Sequence, residues 1–171
     1  MRRRWAFLRR TEGIAAIEFA MIAFPFLIMT VGVIQMGIVL LTQNMIETAV
    51  EAVSRKLLTG SVQQSAMTQS QFVTMTCGLL PPTLNCYKLI INVNVASNFS
   101  AASTTRPNLS GIGSPSSTTV LNYNPGAQGR IVVVQLIYAL PVVALPVFNL
   151  QSTTGINYAM ATSVVKNEAY Q

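Results

Sequence analysis

Between Glu18 and Glu47 the chain carries no charged residue, and Ala, Ile, Phe, Leu, Met and Val dominate the stretch. Residues 19–41 taken as helix rise roughly 35 Å at about 1.5 Å per residue, enough to cross a hydrocarbon core about 30 Å thick with some tilt. Backbone polar groups in lipid must be satisfied within the segment, so the run predicts a transmembrane helix over residues 14–41. Arg2, Arg3, Arg4, Arg9 and Arg10 precede it, against Glu12 alone, and no basic residue follows closely. The positive-inside rule therefore makes residues 1–13 a basic cytoplasmic leader and sends the C-terminal portion out across the membrane in a single pass. A secretory signal would show an apolar core of about 7 to 15 residues and then a small-x-small cleavage site. This run is about twice as long and leads into further helical patterning, so the residues alone read as an uncleaved anchor.

Past the apolar run, Ile46, Ala49, Val50, Val53 and Leu57 recur at three- and four-residue intervals, with Glu47, Glu51 and Lys56 on other faces. That period predicts that the same helix continues outward over residues 42–60. Glu51 and Arg55 form an i, i+4 pair in the favourable order, and Gly60 fits the position just past the C-terminus. The expectation is one helix of about 45 residues, from near Ile14 to near Thr59, with Pro25 inside it as a kink site. Ala16 and Ala20 make a small-xxx-small pair.

Residues 61–171 read as a small exported α+β domain. From Ser61 the composition turns to Ser, Thr, Gln and Asn, and strand signals replace helical ones. Residues 89–96 alternate, with Ile91, Val93 and Val95 separated by Asn92 and Asn94, as a half-buried strand requires. Residues 97–122, rich in Ser, Thr, Gly and Pro, read as a mobile loop with at most short pairing. A turn at Asn124-Pro125-Gly126 leads to a β-branched run over residues 131–138, suited to a central strand, and residues 157–166 alternate again. The expected fold is thus a long membrane helix running into an antiparallel sheet. Residues 131–150 carry no charge, but Pro141, Pro146 and the Val-rich first half argue against a second span and for an apolar loop over residues 139–150.

Composition starves the enzymatic readings. His and Asp are absent, and outside the apolar run the carboxylates are Glu47, Glu51 and Glu168, besides Glu12 of the leader. No His-based triad, Walker or dinucleotide glycine loop, or metal-ligand cluster can be assembled, so no enzyme, cofactor or metal site is expected. The formal charge of +6 is concentrated in the leader, with no aromatic platform or basic groove behind it, which argues against nucleic acid. Charged residues make up 9% of the chain, where soluble proteins run near 25%, and membrane lipid is the partner this balance favours.

Two features carry site chemistry. Cys77 and Cys86 flank Gly-Leu-Leu-Pro-Pro in a segment assigned to the oxidising side of the membrane, and without His or Asp they make a poor metal site, so a disulfide is expected. Glu18 lies among Ile14, Ala15, Ala16, Ile17, Phe19 and Ala20. A carboxylate deep in hydrocarbon costs about 2.5 to 3.5 kcal/mol on insertion scales and calls for a partner, whereas one at the cytoplasmic interface stays solvated. Position in the sequence leaves both open.

The segment Glu12-Gly13-Ile14-Ala15-Ala16-Ile17-Glu18-Phe19 resembles the processing site of type IV prepilins, in which a basic leader and a Gly precede an apolar helix with Glu as its fifth residue. The resemblance implies cleavage by a prepilin peptidase after Gly13, Ile14 as the new N-terminus, and Glu18, with Phe19 beside it, meeting the N-terminal amine of a neighbouring subunit. The Ala-Ile-Glu-Phe-Ala entry, the long helix, the cysteine-bearing middle, the Val-rich strand with Tyr138 and the ending Lys166-Asn167-Glu168-Ala169-Tyr170 together resemble TadE-like minor pseudopilins of the Tad (Flp) pilus. Ala169 stands where that family's ending has Pro, and Lys166 where it has Arg. The resemblance implies a structural subunit that primes or tips a pilus used in surface adherence, with other pilin subunits, the peptidase and the Tad inner-membrane machinery as partners. An uncleaved membrane-anchored scaffold or adhesin-type module is the alternative.

Overall fold

The computed structural model describes residues 14–109, 111–112, 115–140 and 156–168. The leader, Gly13 and residues 141–155 lie outside them, and with them most of the expected apolar loop over residues 139–150. Helix α1 spans Ile14–Leu58 without a break and contains Pro25, matching the expected limits closely. The chain divides into two compact units, the first ending at Ile38 and the second beginning at Val39.

In the first unit the apolar side chains of α1 face outward. Phe19, Met21 and Ile22 are 72%, 73% and 73% exposed, values that a core helix of a soluble domain would not show. By length and composition this helix is able to cross a membrane.

The second unit is α+β. Helix α2, Ser61–Gln64, and helix α3, Gln69–Leu79, follow α1. A four-stranded sheet comes next: β1 Leu89–Ala96, β2 Thr119–Tyr123, β3 Ile131–Leu140 and β4 Asn157–Lys166, in the spatial order β2-β1-β3-β4. Strands β1 and β4 have the limits that alternation gave, and β3 runs two residues beyond Tyr138. All ten residues of β3 are buried, which is why a continuous Val-Ile run serves there in place of alternation. One core gathers Ile46, Ala49, Val53 and Leu57 of α1 with Leu89, Ile91 and Val93 of β1 and Val132, Val134 and Leu136 of β3. The residues of opposite parity, Ile90 and Ile137, pack with Leu109 on the other sheet face.

Three expectations need correction. The sheet is mixed: β1–β3 and β3–β4 are antiparallel as expected, but β2 pairs with β1 in parallel. Strand β2 also lies partly inside the stretch read as a mobile loop. It is a short edge strand with little pattern of its own, and a side-chain amide row assists it: Asn122 donates to Asn94, and Asn94 to Asn92 at 2.9 Å. The same stretch buries Leu109, and Gln135 Nε2 donates to the Thr105 carbonyl at 3.0 Å. Finally, the polar segment after Ser61 is helical. Thr68 caps α3 through a capping box with Gln71, whose Oε1 accepts from the Thr68 N–H at 2.8 Å, while Phe72 and Thr76 turn inward.

The smaller motifs fall as read. Gly60 adopts φ +70° just past α1, and its N–H donates to the Leu57 carbonyl at 3.1 Å. Gly126 sits at φ +68° in the β2–β3 turn, where a Cβ would lie 3.0 Å from Val95 and 3.1 Å from Val132. Arg55 and Glu51 pair at 2.7 Å.

Candidate functional site

Glu18 lies in the second turn of α1, and every residue from Ile14 to Met21 is exposed. Positions i and i+4 share a helix face, so Ile14 and Glu18 stack one turn apart, with Ala15 and Phe19 beside them. Ala16, Ile17, Ala20, Met21 and Phe24 line an open apolar depression on the same segment. Chemically, residues 14–24 are an apolar helical surface bearing one carboxylate, a group able to make a directional contact on an otherwise non-directional surface. The processing residue Gly13 is outside the described residues, so only its neighbour Ile14 is placed, as the first residue of the helix.

The cysteines are brought together. Cys77, near the end of α3, is bonded to Cys86, which opens a 3-10 turn leading into β1, with Cα atoms 5.6 Å apart. The bridge ties the helical segment to the start of the sheet, and Thr118 Oγ1 donates to the Cys86 carbonyl at 2.8 Å just ahead of β2. The Asn85 N–H donates to the Tyr138 hydroxyl at 3.2 Å, fixing the same corner to β3. On the loop-entropy account a closed loop of about ten residues is worth roughly 2 to 3 kcal/mol. The double variant Cys77→Ser/Cys86→Ser is expected to lose about that much stability, read as a lower melting midpoint of the full-length protein in detergent; an unchanged midpoint would refute it.

Burial raises the Tyr123 hydroxyl above its usual range, and that hydroxyl donates to the Met67 carbonyl at 2.7 Å while its ring stacks near Phe72, a packing role. Among the described residues no three His, Cys, Asp or Glu side chains converge as a metal site would need. Sequence reasoning missed the α3 cap, although Thr68-x-x-Gln71 carried its signal, and it gave no role to Asn167, which is 2% exposed and hydrogen-bonded on both backbone and side chain.

The TadE-like protein family matches the chain over residues 13–55, which take in Ile14, Glu18, the apolar run and most of the outward extension of α1. Residues 13–55 are TadE-like. The match is consistent with a TadE-like protein of the Tad pilus system and with association with that machinery in general. It ends within α1, so the sheet domain lies beyond it. No curated protein and no solved structure matches the chain.

Proposed function

We propose that this chain is a minor pseudopilin, a non-enzymatic structural subunit that primes or tips a Tad pilus used in surface adherence. It is held in the inner membrane by residues 14–41, with the leader cytoplasmic and the sheet domain periplasmic. A prepilin peptidase cuts after Gly13 and leaves Ile14 as the N-terminus. Glu18 then accepts the N-terminal ammonium of an adjoining pilin, and the Tad inner-membrane machinery draws the helix out of lipid and into a filament.

The observation that carries this reading is the first half of α1, apolar and exposed, with one carboxylate a single turn from Ile14 inside a TadE-like segment. Such a helix leaves lipid only if other helices replace the lipid contacts, and small Ala faces with one polar pair supply both close approach and register. An ammonium and a carboxylate buried together relieve each other, whereas either alone carries a desolvation cost of several kcal/mol.

The family match stops at residue 55, so an uncleaved anchored scaffold using the same helix is the second reading. N-terminal sequencing of the protein from membranes separates the two. With an active prepilin peptidase the expected first residue is Ile14, and without it Met1. Met1 under both conditions would sink the pseudopilin reading and leave the permanent anchor.

A further inference from the structure

The last described residues of the chain join parts of the domain that are distant in sequence. Beyond the end of β4, the Asn167 N–H donates to the Arg130 carbonyl at 2.9 Å, and the Asn167 carbonyl accepts from the Gly129 N–H at 3.2 Å. The side-chain Nδ2 donates to the carbonyls of Pro125 at 3.0 Å and Ala127 at 3.2 Å. Pro125 receives a second amide, Gln63 Nε2 of α2, at 2.7 Å. One residue on, the Glu168 N–H donates at 3.0 Å to the carbonyl of Leu58, the final residue of α1. Carbonyls in the last turn of a helix have no partner within the helix, so this bond satisfies a group that would otherwise need water or a cap.

We infer that Asn167, with the Glu168 N–H beside it, is a latch that closes the domain: it holds the β2–β3 turn, α2 and the C-terminal turn of α1 to the end of β4. The chemistry of the side chain selects Asn. Its NH₂ group offers two donors, enough for both turn carbonyls, whereas Asp at neutral pH only accepts and Leu does neither. A polar residue buried to this degree needs partners, and here the Asn167 N–H, carbonyl and Nδ2 all bond across the fold, while Oδ1 is buried without a hydrogen bond. The inference concerns closure of the domain and stands whether or not the chain enters a filament.

The test is limited trypsin digestion of the full-length protein in detergent micelles, scored at Arg130, which lies in the latched turn, and at Arg106, which lies in the preceding loop. In Asn167→Leu, cleavage after Arg130 should quicken by about tenfold or more, as local opening of that turn becomes easier, while cleavage after Arg106 changes by less than about twofold. Unchanged cleavage at Arg130, or an equal rise at both sites, would overturn a local latch. Hydrogen exchange on the wild-type protein gives a check that no variant can confound. The amides of Gly129, Asn167 and Glu168 should exchange together as one unit, and a Glu168 amide exchanging far faster than the other two would overturn the link to α1.

Discussion

A chain carrying Glu18→Ala is expected to enter the membrane as the wild type does and to be missing from assembled filaments, its share in sheared pili falling by about tenfold or more. The two halves of this result have different physical sources. Insertion responds to the hydropathy of the whole run, and removing a carboxylate from it lowers the cost, so carbonate-resistant membrane association should be preserved or improved. Incorporation, in the proposed role, depends on one contact between the carboxylate and a neighbour's ammonium. With the carboxylate gone, that ammonium is buried without compensation, a loss that breaking a buried pair places at about 3 to 5 kcal/mol. Glu18→Gln keeps the size and an acceptor oxygen but not the charge, and should recover part of the incorporation. Wild-type amounts of the Ala variant in purified pili would refute the role of Glu18 and leave the anchor intact.

How far such behaviour was legible in the residues follows from which interactions are local. The limits of α1 could be read because a 3.6-residue period and an uncharged run both lie within a single stretch of chain, and those of β1 and β4 because alternation marks an extended segment, although β1, expected to be half-buried, is buried on both faces from Leu89 to Val93. Strand β2 was not legible, since five residues of mixed burial gain their place from a parallel partner and from the Asn122, Asn94 and Asn92 amides, which only the folded sheet aligns. Helix α3 was hidden by its polar composition, although Thr68 and Gln71 signalled its start. Glu18 stood out in the sequence because a carboxylate in an apolar helix is energetically anomalous, but the group proposed to neutralise it belongs to another molecule. Asn167 stood in the ending that resembles the family's, but its structural role could not be read there because its partners, Pro125 and Ala127, lie some forty positions earlier in the chain.

The largest loss of stability is expected from Val53→Asp. Val53 is 0% exposed and belongs to the core where the α1 stripe of Ile46, Ala49 and Leu57 meets Leu89, Val93 and Val132 of the sheet. A carboxylate placed there finds no cation in the core, because Arg55 and Lys56 lie at exposed positions of the same helix and Arg55 is already paired with Glu51. Burying an uncompensated charge costs several kcal/mol after relaxation, against a total stability of roughly 5 to 15 kcal/mol for a domain, so the folded state should be lost or nearly so. Residues 19–41 are unaltered, and the variant should still associate with membranes. The segment beyond residue 42 is expected to resist mild proteolysis in the wild type and to be digested in the variant, and a mild dose of dithiothreitol that leaves the wild-type Cys77–Cys86 bond intact should reduce it in the variant, read by alkylation. Glu51→Ala, on the exposed face of the same stretch, loses only a surface ion pair and should behave like the wild type. A Val53→Asp protein as protease-resistant as its parent would mean that this face of α1 does not pack on the sheet. The helix would then serve the outer domain only as a tether, and the length of the exposed run, rather than its outward continuation, would carry the structure.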